Sequence, residues 1–196
     1  MAQTHLIPDV LKLKESLGTL PEPVVRPALI TVSGLPGTGK THFCQKLAEK
    51  LPYQSIILES DALRKTLFPH PTYTPAESAR LFQAIHLLTE DLLQKNIPVI
   101  LDATNLSEPH RERLYHIADR AKAKLILVWV EAPPEVVRQR LLQRAQGMTR
   151  SHSDADWTVF QKMQPTVDRI RRNHFVVDTS RDITPVIDKI IRALKK

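Results

Sequence analysis

From Ala28 onward, short continuous apolar runs alternate with longer segments in which apolar residues recur every three or four positions. The runs are ALITVSG (28–34), SIILES (55–60), PVILDAT (98–104), LILVWVEA (125–132) and HFVVDTS (174–180). A strand with one face in water alternates apolar and polar residues, so unbroken runs are expected where helices cover both faces. Strands and helices taken in turn predict an α/β domain on a parallel sheet.

The helical segments carry their own end signals. In TPAESARLFQAIHLLTEDLLQKN, Thr74 is placed to cap, Pro75 fits the first turn and Glu77 closes a capping box, while Leu81, Ile85, Leu88 and Leu92 share one stripe. Ser107, Ser153 and Thr184 read as further N-caps, with Pro109 and Pro185 just inside their helices and Asp156 completing a second box. Pro165 predicts a kink or break within WTVFQKMQPTVDRI. Residues 1–27 stand apart: an amphipathic stretch (Val10, Leu11, Leu13, Leu17) and then TLPEPVVRP predict an N-terminal helix and a stiff linker ahead of a domain at 28–196.

Composition adds limits. A chain of 196 residues that is 42% hydrophobic and 25% charged suits one globular domain, and about 70% of the unfolded surface can be buried at this size without a disulfide or structural metal. The single cysteine, Cys44, falls where the first turn of a helix packs and reads as a buried, inert thiol of a reducing compartment. No apolar run approaches the ~18 residues of a membrane span, and the N-terminus lacks a signal-peptide pattern, so a cytoplasmic protein without a membrane partner is expected. The net charge of +7 fits a nucleic-acid partner or phosphate handling, and several arginines fall between Arg138 and Arg150.

GLPGTGKTHF (34–43) points to phosphate handling. It satisfies G-x-x-x-x-G-K-[ST] at Gly34, Gly39, Lys40 and Thr41, with the strand LITV before it and the helix THFCQKLAEKL after it, Phe43, Leu47 and Leu51 inward. Residues Gly34, Leu35, Pro36, Gly37, Thr38, Gly39, Lys40, Thr41 and His42 form the expected ATP site. Backbone N–H groups from about Gly37 to Thr41 converge on the β-phosphate, Lys40 bridges β- and γ-oxygens, and the Thr41 hydroxyl ligates Mg²⁺. Asp102, ending an apolar strand, is the second metal candidate. Ala103 follows it where motor ATPases carry a glutamate, and neither an N/T-K-x-D motif nor an L-S-G-G-Q-like segment is present, which weakens the hydrolytic alternatives.

A kinase needs an acceptor site. In ESDALRKTLF, Asp61 and Arg64 lie three apart on the first turn of a helix, so Asp61 is placed to take a hydroxyl proton and Arg64 to hold an anionic part of the acceptor. In EVVRQRLLQRAQGMTRSHSDADW, Arg140 and Arg144 share a helical face ahead of Gly147, as a lid over ATP would require; Arg138 is expected to be solvated. The histidines show no metal-ligand spacing and read as packing or surface. Trp129 and Trp157 read as core, and Phe68, His70 and Tyr73 lie on a proline-stiffened loop between the Asp61/Arg64 pair and the next helix.

These motifs, with VILDATN, SDADWTVFQKM and FVVDTS, resemble the small P-loop kinases related to the 5′-kinase module of polynucleotide kinase, chloramphenicol phosphotransferase and zeta-toxin-type kinases, and the likeness runs from about Pro27 to the C-terminus. The resemblance implies a three-layer α/β P-loop NTPase fold with a five-stranded parallel sheet, nucleotide-kinase-like, with a small lid around 138–153. It implies that Asp61 is the general base, Arg64 binds the acceptor and Arg140 and Arg144 touch ATP phosphates, with Asn105 near the acceptor and Thr179 near the adenine. The expected protein is an ATP- and Mg²⁺-dependent kinase acting on a hydroxyl of a small molecule, with a polynucleotide 5′-hydroxyl kinase or a non-catalytic ATP-binding regulator as alternatives.

Overall fold

The computed structural model describes residues 6–148 and 151–195; Thr149 and Arg150 of the expected lid, and the first five residues of the N-terminal segment, lie outside the described residues. The elements are α1 (Leu6–Ser16), β1 (Ala28–Ser33), α2 (Lys40–Lys50), β2 (Ile56–Glu59), α3 (Ser60–Leu67), α4 (Pro75–Gln94), β3 (Val99–Asp102), α5 (Glu108–Arg120), β4 (Lys124–Glu131), α6 (Pro134–Ala145), α7 (Trp157–Met163), a 3-10 turn (Gln164–Thr166), β5 (Phe175–Asp178) and α8 (Thr184–Leu194). The strands form one parallel sheet in the order β2-β3-β1-β4-β5.

Each apolar run became a strand, and burial follows sheet position. The central strands β1 and β3 are buried along their whole length, whereas the edge strands β2 and β5 are only partly covered. Leu29 of β1 joins one core layer with residues of α1, α3, α4 and α5; its neighbours Ala28, Ile30 and Val32 join the other with α2 and α8. This is the three-layer α/β P-loop fold, with the sheet between two helical layers.

Helix α1 docks on the first of these layers. Leu13 is fully buried there with Leu6, Val10 and Leu17 packed beside it, while Leu11 of the expected apolar stripe faces outward. Asp9, buried, accepts both Nε (2.6 Å) and Nη2 (2.7 Å) of Arg80 on α4, and Lys14 donates to Asp91 at 2.7 Å. No described helix is long and apolar enough to cross a membrane.

The caps hold in part. The Thr74 hydroxyl accepts the Glu77 N–H (3.2 Å), but the Glu77 carboxylate passes Thr74 and takes the N–H (2.7 Å) and hydroxyl (2.8 Å) of Thr72 and an ion pair with Arg64. A charged partner outcompetes the neutral return bond of a capping box. Helix α7 is capped by Asp156, not Ser153, through the Val159 N–H at 2.8 Å. Thr184 lies inside α8, whose first N–H is held by the Asp182 carboxylate at 2.9 Å. Helix α7 stops at Met163, two residues before Pro165, which lies in the 3-10 turn, and no α-helix resumes before β5.

Candidate active site

The phosphate loop joins β1 to α2 and is bare because its surroundings leave no room. Gly37 has φ +78°, and a Cβ there would lie 2.9 Å from Leu141 Cγ and from Val137 Cγ1 of α6. At Gly39, φ +91°, it would meet Thr179 Oγ1 at 3.0 Å. Both conformations favour glycine, and both close approaches bind the loop to the elements that follow β4 and β5. Across the loop Lys40 Nζ donates to the Leu35 carbonyl at 3.0 Å. Burial pushes this ammonium below the ordinary lysine range, against the opposing pull of Asp102 and Asp61.

Thr41 Oγ1 donates to Asp102 Oδ2 at 2.6 Å. The two residues expected to share a metal therefore meet, although 61 positions separate them. Burial raises the Asp102 carboxyl, and the Lys40 charge and the Thr41 hydroxyl oppose the rise. The hard oxygen donors suit Mg²⁺, which takes few protein ligands and keeps water and phosphate oxygens, and among the described residues no cluster of three His, Cys, Asp or Glu side chains competes for a softer metal.

These groups line a cleft of about 740 Å³ at the C-terminal ends of the strands, where ligands bind in open α/β sheets. Pro36, Gly37, Gly39, Lys40, Thr41 and His42 face it, with Asp61, Asp102, Arg140, Arg144 and Thr179; Gly34, Leu35 and Thr38 of the loop are buried and do not line it. The Asp61 carboxylate accepts no hydrogen bond from another described residue, yet its charge acts on both Lys40 and Asp102.

Two expected residues sit elsewhere. Arg64 is buried, paired with Glu77, 3.3 Å from Ser78 Oγ and stacked 4.8 Å from the Tyr73 ring centre. Asn105 is also buried, in a left-handed conformation (φ +44°); its carbonyl accepts Arg111 Nη1 at 2.6 Å and its Nδ2 has no partner among the described residues. None of Phe68, His70 and Tyr73 lines the cleft.

From α6, Arg140 donates to the Thr179 hydroxyl (2.8 Å) and carbonyl (2.9 Å), and Thr179 donates to the Thr38 carbonyl (2.6 Å), which joins lid, β5 end and phosphate loop. Arg138 is exposed but lies over the Trp157 ring at 5.9 Å. The segment after α6 returns across the cleft. His152 Nδ1 lies 3.0 Å from Glu59 Oε2, and Asp154 accepts Lys65 Nζ (2.9 Å) and the Tyr73 hydroxyl (2.6 Å). His152 is exposed, as expected, and also lines the cleft, as does Glu59. Glu59 carried a readable signal: it ends an apolar strand as Asp102 does, and the two are register partners. Arg111 carried none. It is fully buried, bonded to Glu108 (2.7 Å), the Asn105 carbonyl and the Asp168 carbonyl (2.8 Å), a contact 57 residues away.

Residues 29–170 match the AAA domain family. The L-seryl-tRNA(Sec) kinase of Methanococcus maripaludis is 26% identical over 121 residues, 60% of this chain and 46% of that protein. The probable adenylyl-sulfate kinase of Pyrococcus abyssi is 32% identical over 110 residues, 55% of this chain and 61% of that one. The chain thus matches about half the length of these curated relatives. Among solved structures, Chaetomium thermophilum Kti12 in complex with ADP-AlF3 superposes with a TM-score of 0.67 at 21% identity, covering 85% of this chain and 98% of that one, and shares the fold.

Proposed function

The chain belongs to the AAA domain family, and from that premise we propose that it is an ATP-dependent kinase that transfers the γ-phosphoryl group to a hydroxyl of a small molecule. One observation carries the proposal: the Asp61 carboxylate, without a hydrogen-bond partner among the described residues, opens into the same cleft as the phosphate loop and Asp102. A carboxylate there can take an acceptor's proton, and Ala103, buried after Asp102, leaves no carboxylate at the position where motor ATPases carry the glutamate that activates water.

In this mechanism the loop N–H groups and Lys40 hold the β- and γ-phosphates, and α6 brings Arg140 and Arg144 over them. Thr41 and Asp102 would hold Mg²⁺, which neutralises phosphate charge when bound. The acceptor oxygen forms a bond to the γ-phosphorus as the bond to the β,γ-bridging oxygen breaks; ADP leaves and the hydroxyl proton passes to Asp61. Thr179 borders the nucleotide, fixed by Arg140 and Thr38. Asn105 acts through the loop after Asp102 rather than by lining the cleft. The D-x-x-R spacing of Asp61 and Arg64 supports a place near the polynucleotide kinase and chloramphenicol phosphotransferase group, with Arg64 as a positioning residue behind Asp61.

Incubating the protein with γ-labelled ATP, Mg²⁺, a fractionated metabolite pool and 5′-hydroxyl oligonucleotides tests this. Label on a small molecule is expected. Release of inorganic phosphate alone, at the same rate with and without acceptors, contradicts it.

A further inference from the structure

Asp61 stands on a helix too short to hold itself. Helix α3 is eight residues long and has no side-chain cap at its N-terminus; a helix of that length is marginal in water and takes its stability from packing. It follows β2 without a connecting loop, and β2 is an edge strand only partly covered. Its inward residues Leu63 and Leu67 are buried in the layer that also holds Leu13 of α1. Arg80 of α4 lies where α1 and the end of α3 meet. The Asp9 carboxylate, 7% exposed, accepts its Nε (2.6 Å) and Nη2 (2.7 Å), and its guanidinium carbon lies 5.4 Å from the centre of the Phe68 ring. Phe68 caps α3, its N–H donating to the Arg64 carbonyl at 2.8 Å. Paired bonds fix the plane of a guanidinium, so Asp9 sets the surface on which the end of α3 rests.

We propose that α1, which precedes the residues that match the family, is a brace for the acceptor helix. Asp9 is a positioning residue that acts through Arg80 and Phe68 on α3, and so on where Asp61 stands in the cleft. What Asp61 does there rests on the kinase proposed above. The nucleotide side is supported separately: α2, which follows the phosphate loop, packs through Phe43, Cys44 and Leu47 in the opposite layer, with Ile187 and Ile190 of α8. Loosening the brace therefore displaces the acceptor carboxylate and leaves the phosphate loop in place.

The test uses the full chain with Asp9→Asn, which removes the charge, and Arg80→Lys, at a half-exposed position, which keeps the charge but not both bonds. Ile190→Val, which loosens the opposite layer, is the control for lost stability alone. Hydrogen exchange read by mass spectrometry compares α3 with α2, calorimetry gives the affinity for Mg²⁺ with a non-hydrolysable ATP analogue, and γ-labelled ATP with the metabolite pool gives transfer. In Asp9→Asn, α3 should exchange at least roughly tenfold faster relative to α2. Transfer to small molecules should fall by roughly tenfold or more while affinity for the analogue is unchanged. Arg80→Lys should move the same two readouts in the same direction, and Asp9→Glu, which keeps the carboxylate, should return both toward the parent protein. Unchanged α3 exchange in Asp9→Asn and Arg80→Lys overturns the brace, as does the same pattern in Ile190→Val. Undiminished transfer from a protein whose α3 exchanges faster overturns the positioning role, as does a loss of nucleotide affinity equal to the loss of transfer. Faster α3 exchange in the variants, with no label on any small molecule even from the parent protein, keeps the brace and removes the kinase.

Discussion

Lys40 spans the phosphate loop to the Leu35 carbonyl, and burial makes its charge costly there unless an anion answers it. Lys40→Ala should weaken Mg·ATP binding by roughly 1.5–3 kcal/mol, the worth of a charged hydrogen bond; calorimetry showing equal affinity for both proteins would remove the loop from the mechanism. Glu77 makes a different claim at the same scale. Burial pushes its carboxyl up, but the bonds from the Thr72 N–H, Arg64, the Thr72 hydroxyl and the Tyr73 N–H outweigh it and hold the carboxyl down to about 2, from an ordinary 4.5. A carboxyl lowered on folding contributes stability above its unfolded value and loses it as pH falls through its folded one, so this contribution fades between about pH 4.5 and 2. Glu77→Gln should cost roughly 3–5 kcal/mol at neutral pH by stranding Arg64, and the gap to the parent protein should narrow on acidification across that window. Melting temperatures of both proteins against pH check it; a constant gap contradicts the ion pair.

At the level of elements, α1 is packed into the helical layer it shares with α3, α4 and α5. Leu13→Ala should destabilise by about 2–5 kcal/mol, as core truncations do, whereas Leu11→Ala on the outward face should change little. Chemical denaturation of the two variants separates them, and equal effects would mean that α1 does not dock. The sequence shows α1 as a helix but not its partner, because Asp9 and Arg80 meet across 71 positions and no local period encodes that. The strands were legible because β1 and β3, buried on both faces, must read as unbroken apolar runs. The phosphate loop and Asp102 were legible because spacing and strand ends determine their place. Arg64 was misleading for a physical reason: D-x-x-R puts two side chains on one face, but which charge meets them depends on Glu77, thirteen residues on and in another helix. His152 approaches Glu59 from 93 residues away, beyond any pattern along the chain.

For the molecule as a whole, one cleft at the C-terminal ends of three adjacent strands, β2, β3 and β1, receives Asp61, Asp102 and the phosphate loop. The net charge of +7 does not by itself make it a nucleic-acid binder. Oligonucleotide binding tighter than micromolar is not expected at about 0.15 M salt, and a steep salt dependence of such binding would promote the polynucleotide alternative. Asp61 as a base and Asp61 as a helix-end residue differ in one measurement, the transfer rate of Asp61→Asn set beside its melting temperature. Asp61 is the second residue of α3 and makes no cap bond, so a structural role amounts to its charge at the helix N-terminus and predicts a stability loss of only about 0.3–1 kcal/mol in the asparagine variant, with transfer unchanged. If Asp61 takes the acceptor proton, transfer falls by roughly 10² to 10⁴-fold while the melt shifts no more than that and ATP affinity stays where it was; an unchanged rate contradicts the assignment.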